Sequence, residues 1–475
     1  MTLQRPSETL LAELEALLGP RGFSRDPHDL APWLTDWRGR FTGAAAALLS
    51  PTSPTEVQSI VARCAEARVG LVPQGGNTSM VGGATPSAGG ESLLLSTRRL
   101  NRIRSLSTDE NAIVAEAGVI LTQVHDAAAG AGRRFPLSLG AKGSATVGGL
   151  ISTNAGGTQV LRFGPMRALV LGVEAVLADG SLYSGLSALR KDNRGYDLKQ
   201  LLIGSEGTLG IVTAAALRLV PAIGSRSVAW VGLASPSTAL TLLRFLEDRL
   251  GDSIESFELV PAIALDLVLR YVPGTRRPLE TEQPWNVLIE AVAPAGAADP
   301  GERLEAALGE ALSSGLAEDA TLSASEAQAE AFWHIRETIA EGERQEGPGP
   351  KHDISVPVAI MPAFLETEGA AIERDFPGAR VIAFGHLGDG NIHFNVIGPK
   401  EAGEDWIKGN GKQITRNVYD RVTAAGGSIS AEHGIGQSKR EALARTAEPA
   451  RLALQARIKA ALDPHGIMNP GKLFP

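Results

Sequence analysis

The sequence predicts an α+β fold, and three observations carry that prediction. Apolar runs of strand length alternate with amphipathic helices, glycine-rich segments crowd the first part of the chain and fade near Pro221, and neither an internal repeat nor a low-complexity tail is visible. At roughly 150 residues per domain, a chain of 475 residues has room for about three domains. Hydrophobic residues are 43% and charged residues 21%, which excludes a disordered or fibrous chain. The net charge of −8 argues against nucleic-acid binding, because phosphates need a basic footprint, although a few local cations would still hold a small anion. Cys64, the single cysteine, excludes an internal disulfide, an all-cysteine zinc site and a cysteine-held iron–sulfur cluster.

From the N-terminus, Ser7 caps a helix carrying Leu10, Leu11, Leu14, Leu17 and Leu18, which Gly19-Pro20 stops. Its Glu8, Glu13 and Glu15 do not suit a secretory or transit peptide. The uncharged stretches Val69–Gly90 and Gly143–Leu161 hold too much Gly, Ser, Thr and Asn for membrane spans, so a cytoplasmic location is expected. Thr55-Glu56-Val57-Gln58 reads as a capping box ahead of a stripe of Val57, Ile60, Val61 and Cys64. Strands are expected at Val69–Val72, Ser92–Leu95, Ile113–Ala115, Val170–Leu177, Asn286–Val292 and Val381–Phe384. Helices are expected at Glu326–Gln345, Pro362–Phe376 and Glu448–Leu462.

Glycine is the informative excess: 54 of 475 residues. Three segments share one design: Pro73–Gly83, Pro136–Gly157 and Gly204–Thr213 interleave Gly with Ser, Thr or Asn. Glycine lets backbone N–H groups approach a ligand, and successive N–H groups form an anion nest that can hold a pyrophosphate without a lysine. One such segment would read as a tight turn; three of this length read as a cradle. The G-x-G-x-x-G fingerprint after a strand and the Walker pattern are both absent, which disfavours a Rossmann or P-loop enzyme.

The sharpest local signal is Gly385–Asn395, with His386, Asp389-Gly390 and His393. Read as a two-residue hairpin turn, Asp389-Gly390 sets His386 directly opposite His393, with Cβ atoms roughly 5 Å apart on one face. Asn395 points to the same side. Two imidazoles so placed can share a divalent metal, and Glu432, in Ser430–Gly436, is the candidate third ligand. That set suits zinc and is open to manganese or iron. Alone, either histidine reads as an ordinary core or surface residue, and Arg336 on its helix as a solvated charge.

Pro73–Ser79 (PQGGNTS), Pro136–Gly157 (PLSLGAKGSATVGGLISTNAGG) and Gly204–Thr213 (GSEGTLGIVT) resemble the FAD-binding domain of the vanillyl-alcohol oxidase and p-cresol methylhydroxylase type. With the C-terminal motifs, nearly the whole chain resembles the flavin-linked D-2-hydroxy-acid dehydrogenases, most of all the branch acting on D-2-hydroxyglutarate. That resemblance implies an FAD-binding domain at 1–221, a ferredoxin-like α+β substrate domain at 222–420, and a small helical segment at 421–475 returning to the flavin. It implies that Pro73, Gly75, Gly76, Asn77, Thr78 and Ser79 hold the pyrophosphate end of FAD. Pro136, Leu137, Gly143, Ser144, Gly148, Gly149, Thr153, Asn154, Gly156, Glu206, Gly207, Ile211 and Asn469 would line the rest. Asn77 stands where some relatives carry a flavin-linked histidine, so FAD is expected to be non-covalent.

The same resemblance implies metal ligation by His386, His393 and Glu432 and recognition of a substrate carboxylate by Arg336 and Lys351, with Asn395 adding a donor. Ala340 departs from the pattern, because the 2-hydroxyglutarate enzymes place a hydroxyl residue four positions after the arginine. His433 would take the 2-hydroxyl proton as general base while the C2 hydrogen leaves as hydride to flavin N5. Expected partners are a small anionic 2-hydroxy acid and an electron acceptor (a quinone, an electron-transfer flavoprotein, a cytochrome or oxygen), with no nucleic acid; a homodimer is compatible. The alternatives are D-lactate or glycolate as substrate, a metal-dependent hydrolase built on the histidine hairpin alone, or a carboxylate-binding protein that has lost its flavin.

Overall fold

The computed structural model describes residues 3–474 and is α+β, in two compact units. One comprises the chain up to Gly157, Gly164–Pro221 and the chain from Glu432 on; the other comprises Thr158–Phe163 and Ala222–Ala431. Residues 421–431, grouped with the C-terminal segment on sequence grounds, therefore lie in the second unit. No helix among the described residues is long and apolar enough to cross a membrane.

The first unit begins as its sequence suggests. Ser7 accepts from the Leu10 N–H and caps the helix Glu8–Leu18. The next helix, Pro54–Ala67, is capped differently from expectation. Ser53 is the capping residue, Pro54 takes the first helical position where no N–H is needed, and Glu56 reaches back to the Thr52 N–H at 2.6 Å. The box therefore starts two residues earlier than Thr55. Both helices bury their apolar stripes in one core with Leu49, Leu71, Leu93, Leu95, Ile467 and Met468. A four-stranded sheet runs in the order Phe23–Ser24, Leu48–Leu49, Ser92–Ser96, Gly70–Gln74, with its last three strands parallel. An antiparallel five-stranded sheet orders Ile103–Ser107, Ala112–Glu116, Ile211–Arg218, Val170–Val176 and Leu182–Gly185.

The second unit is one antiparallel seven-stranded sheet in the order Asp319–Leu322, Ile223–Leu233, Trp285–Pro294, Ile254–Pro261, Arg380–His386, Asn391–Ile397, Lys351–Ser355. Its first four strands, with helices Pro236–Leu250 and Pro300–Ser313, form a β-α-β-β-α-β unit in the ferredoxin-like spatial order 4-1-3-2. The remaining three strands repeat that order with helices Met361–Asp375 and Gly403–Ala424; the Ser355–Ser428 bridge stands for the fourth strand. The two copies join edge to edge between Ile254–Pro261 and Arg380–His386. This doubling corrects the expectation of no internal repeat. It is a repeat of topology that leaves no visible periodicity in the residues.

The predicted helix Glu326–Gln345 is two helices, Glu326–Glu337 and Ile339–Glu346, broken at Thr338, whose hydroxyl donates to the His334 carbonyl at 2.7 Å. Their apolar faces pack with Trp230, Leu288, Ile382 and Phe384.

Candidate active site

In the first unit the three glycine-rich segments meet. A Cβ on Gly76 would collide with the Ser144 carbonyl, and one on Gly75 with the Thr146 hydroxyl, so the first loop rests on the second with no room for side chains. The Asn77 side chain is spent on structure: its Nδ2 donates to the Thr35 carbonyl at 2.9 Å, and its Oδ1 accepts from Gln74 Nε2 at 3.3 Å. Among the described residues, the backbone N–H groups of Gly76, Asn77, Thr78 and Ser79 find no acceptor in the protein, the arrangement an anion needs. Thr146 Oγ1, Gln74 Oε1 and Asn469 Oδ1 are buried without a hydrogen-bond partner.

Four of the seven non-glycine residues with positive φ among those described are Asn77 (55°), Asn154 (50°), Glu206 (52°) and Asn469 (44°). Such backbone is uncommon outside glycine and concentrates at ligand sites. Asn154 Oδ1 accepts from the Arg167 N–H at 2.9 Å. Asn469 ties first and third loops by donating from Nδ2 to the carbonyls of Gly83 (3.0 Å) and Glu206 (2.7 Å). The Glu206 carboxylate accepts from the N–H groups of Ile435 and Gly436, each at 2.7 Å, and so anchors the turn that follows His433. Burial pushes this carboxyl above its ordinary range, against the pull of those two donors and of Lys439 and Lys472.

Not every residue assigned to the cradle faces a ligand. Ile211 packs in the core, a Cβ on Gly148 would meet Ala117, and the Thr153 hydroxyl donates to the Gly149 carbonyl. The unpaired donors and buried orphan acceptors nevertheless fit the pyrophosphate and the polar rim of a flavin nucleotide.

In the second unit a polar cluster lies against the sheet. The histidine hairpin has a register other than the one a two-residue turn dictates: His386 pairs with Asn391, and His393 with Phe384. Leu387–Gly390 form a four-residue loop because Leu387 is buried and its N–H donates to the Phe257 carbonyl, while Asp389 Oδ1 accepts from the Asn391 N–H. The two histidines are diagonal rather than direct neighbours. They still share a face, with ring centroids 5.9 Å apart.

Behind them stands Glu258, on the adjoining strand and paired in register with His386. Its Oε1 lies 2.6 Å from His386 Nδ1, and its Oε2 accepts from Arg336 Nε at 2.8 Å and Nη2 at 2.7 Å. Burial would raise this carboxyl, but the charges of His386 and Arg336 outweigh it and hold it at about 2. Arg336 stacks over the Phe384 ring at 4.9 Å, and its Nη1 has no partner among the described residues.

Lys351, Asp353 and Ser355 pair in register with Asn395, His393 and Asn391. Lys351 Nζ reaches Glu343 Oε2 at 2.8 Å, and Asn395 Nδ2 donates to both Glu343 oxygens at 3.0 and 2.9 Å. The amide nitrogen of Asn395, expected to add a donor for the substrate, thus meets a buried carboxylate in this structure. The chain leaves this unit at Ala431, whose N–H donates to the Asp353 carbonyl at 3.3 Å, and Glu432 and His433 follow directly. Sequence reasoning missed Glu258, Glu343, Asp353 and Thr146. Glu343 had a signal, standing seven residues after Arg336 on what reads as one helical face; Glu258 had only its place in an otherwise apolar strand.

The family description "FAD linked oxidases, C-terminal domain" matches residues 224–473, more than half of the chain, and "FAD binding domain" matches 45–185. The chain belongs to the FAD-linked oxidases. This FAD-linked oxidase is similar to the mitochondrial D-2-hydroxyglutarate dehydrogenase of Bos taurus, at 39% identity across 99% of this chain and 84% of that protein. It is also similar to the D-2-hydroxyglutarate dehydrogenase of Xanthomonas citri pv. viticola, at 38% identity across 94% and 93%. Among solved structures, p-cresol methylhydroxylase with substrate bound superposes with a TM-score of 0.74 at 16% identity, covering 98% of this chain and 96% of that one, and shows the same fold. The FAD-linked oxidase is accordingly an FAD-dependent dehydrogenase with the p-cresol methylhydroxylase-type fold. The hydrolase alternative is left without support.

Proposed function

We propose that the chain oxidises a D-2-hydroxy acid to the 2-oxo acid, with residues of the second unit binding the acid. The observation that carries this reading is the Glu258 carboxylate, which joins Arg336 to His386 and leaves the Nη1 side of the guanidinium open. An open guanidinium edge suits one carboxylate in forked geometry. The relatives' names support the same class of acid.

The loop donors of Gly76–Ser79 and the acceptors of Thr146 and Asn469 would hold FAD non-covalently, and FAD would supply the two-electron acceptor for the C2 hydrogen. His386, His393 and Glu432, a two-imidazole, one-carboxylate donor set that suits zinc, would hold a divalent ion, which would supply the positive charge that lowers the pKa of the 2-hydroxyl. His433 takes the hydroxyl proton, a role suited to an imidazole near neutral pH, while Glu432 serves better as ligand by its charge. Arg336 orients the carboxylate. The relatives' names point to D-2-hydroxyglutarate, whereas the Glu343 contact to Lys351 favours a monocarboxylate such as D-lactate or glycolate.

Anaerobic mixing of the holoenzyme with D- and L-enantiomers of several 2-hydroxy acids tests the reading: the flavin should bleach with D-acids only. No bleaching by any D-acid, or faster bleaching by L-acids, would overturn it. His433→Asn should slow flavin reduction at least about a thousandfold, within the usual range for losing a general base, while bound metal is retained. Unimpaired reduction in that variant would remove His433 from the base role.

A further inference from the structure

Lys351 is not a free cation. Its Nζ lies 2.8 Å from Glu343 Oε2, and the Glu343 side chain is completely buried while Lys351 keeps 27% of its side chain exposed. The same carboxylate accepts from Asn395 Nδ2 through both oxygens. One acid, carried in from the helix Ile339–Glu346, thus occupies both polar groups that strands Lys351–Ser355 and Asn391–Ile397 offer at this end of the cluster. Ala340, three residues before Glu343, brings no hydrogen-bonding group. Arg336 is held differently: the carboxylate facing it is shared with His386, and its Nη1 stays available. The cluster therefore presents one open anion-binding edge at Arg336 and a neutralised pair at Lys351.

A second carboxylate brought to Lys351 would lose its water to meet a lysine already paired, beside a buried negative charge. We infer that Glu343 is a specificity-determining residue, acting through Lys351 and Asn395, and that the substrate is a D-2-hydroxy acid whose side chain carries no second carboxylate. The inference rests on the reaction proposed above. It refines the substrate to the monocarboxylate class, and it assigns the buried acid a purpose that packing alone does not.

The test compares D-2-hydroxybutyrate with D-2-hydroxyglutarate in anaerobic flavin reduction and in steady-state turnover by the holoenzyme. The wild-type enzyme should show a KM for D-2-hydroxyglutarate at least about tenfold above that for D-2-hydroxybutyrate. Glu343→Gln, which keeps the shape and removes the charge, should shift the dicarboxylate-to-monocarboxylate ratio of kcat/KM at least about tenfold toward the dicarboxylate, through KM rather than kcat. Glu343→Asp should restore the wild-type ratio. Binding of glutarate against butyrate, followed by the flavin difference spectrum, reads the same preference without turnover. Should Glu343→Gln fail to fold, the wild-type ratio decides by itself. A wild-type enzyme that binds the dicarboxylate more tightly, or a Glu343→Gln variant with an unchanged ratio, overturns the role of Glu343 while leaving the reaction standing. If no D-2-hydroxy acid bleaches the flavin, the reaction falls and the inference with it.

Discussion

Glu258 is the residue on which most of the second unit's chemistry converges. A carboxylate that receives the Nδ1 side of a histidine fixes that ring's tautomer and turn. If the proposed divalent-metal site is right, Glu258→Gln should weaken metal binding by roughly 10–100-fold, the usual cost of losing such a partner, measured by titrating metal-stripped protein with zinc against a competing chelator. Affinity that stays within error of wild type would mean that the ring is held by its other contacts. The acid was not legible in the sequence because its partners lie 78 and 128 residues away. The histidines were legible because they flank a turn. Arg336 was legible as a chemical type but not in its partner.

At the scale of elements, glycine content singled out three segments of one composition, and those segments do converge. Composition could not say which glycines meet backbone and which meet empty space. Gly76→Ala should weaken FAD binding at least about tenfold, because its Cβ meets the Ser144 carbonyl, whereas Gly130→Ala, with nothing within 4 Å, should leave FAD binding unchanged. Equilibrium titration of the apoprotein with FAD reads both. The hairpin teaches the complementary lesson. Its strands were legible from alternation, but its register was not, because a buried leucine and a long-range hydrogen bond to Phe257 lengthened the loop from two residues to four. Local turn chemistry sets register only when the tertiary structure makes no claim on the loop.

At the scale of the whole molecule, each unit has its own apolar core, and the first carries a built-in reporter. Cys64 is fully buried in that core, and burial pushes its thiol up to about 12. Labelling at neutral pH should therefore follow opening of the first unit rather than surface reactivity. Free FAD at a hundredfold excess over its Kd should add about 2.7 kcal/mol to that unit and slow labelling by about a hundredfold. A labelling rate indifferent to FAD would dissociate the core from the cradle. The doubled ferredoxin-like order was illegible for a plain reason. A backbone path can recur while its side chains share no pattern, since each copy needs only apolar residues on the inner face.

The joint between those two copies has a consequence of its own. Only two rungs, Glu258 with His386 and Leu259 with Gly385, register the halves of the sheet against each other. In most sheets the middle tolerates apolar exchange and the borders carry the function. Here the narrow midline also carries Glu258 and His386, two of the groups in the proposed site, so drift that loosens it should silence the proposed reaction before either half comes undone.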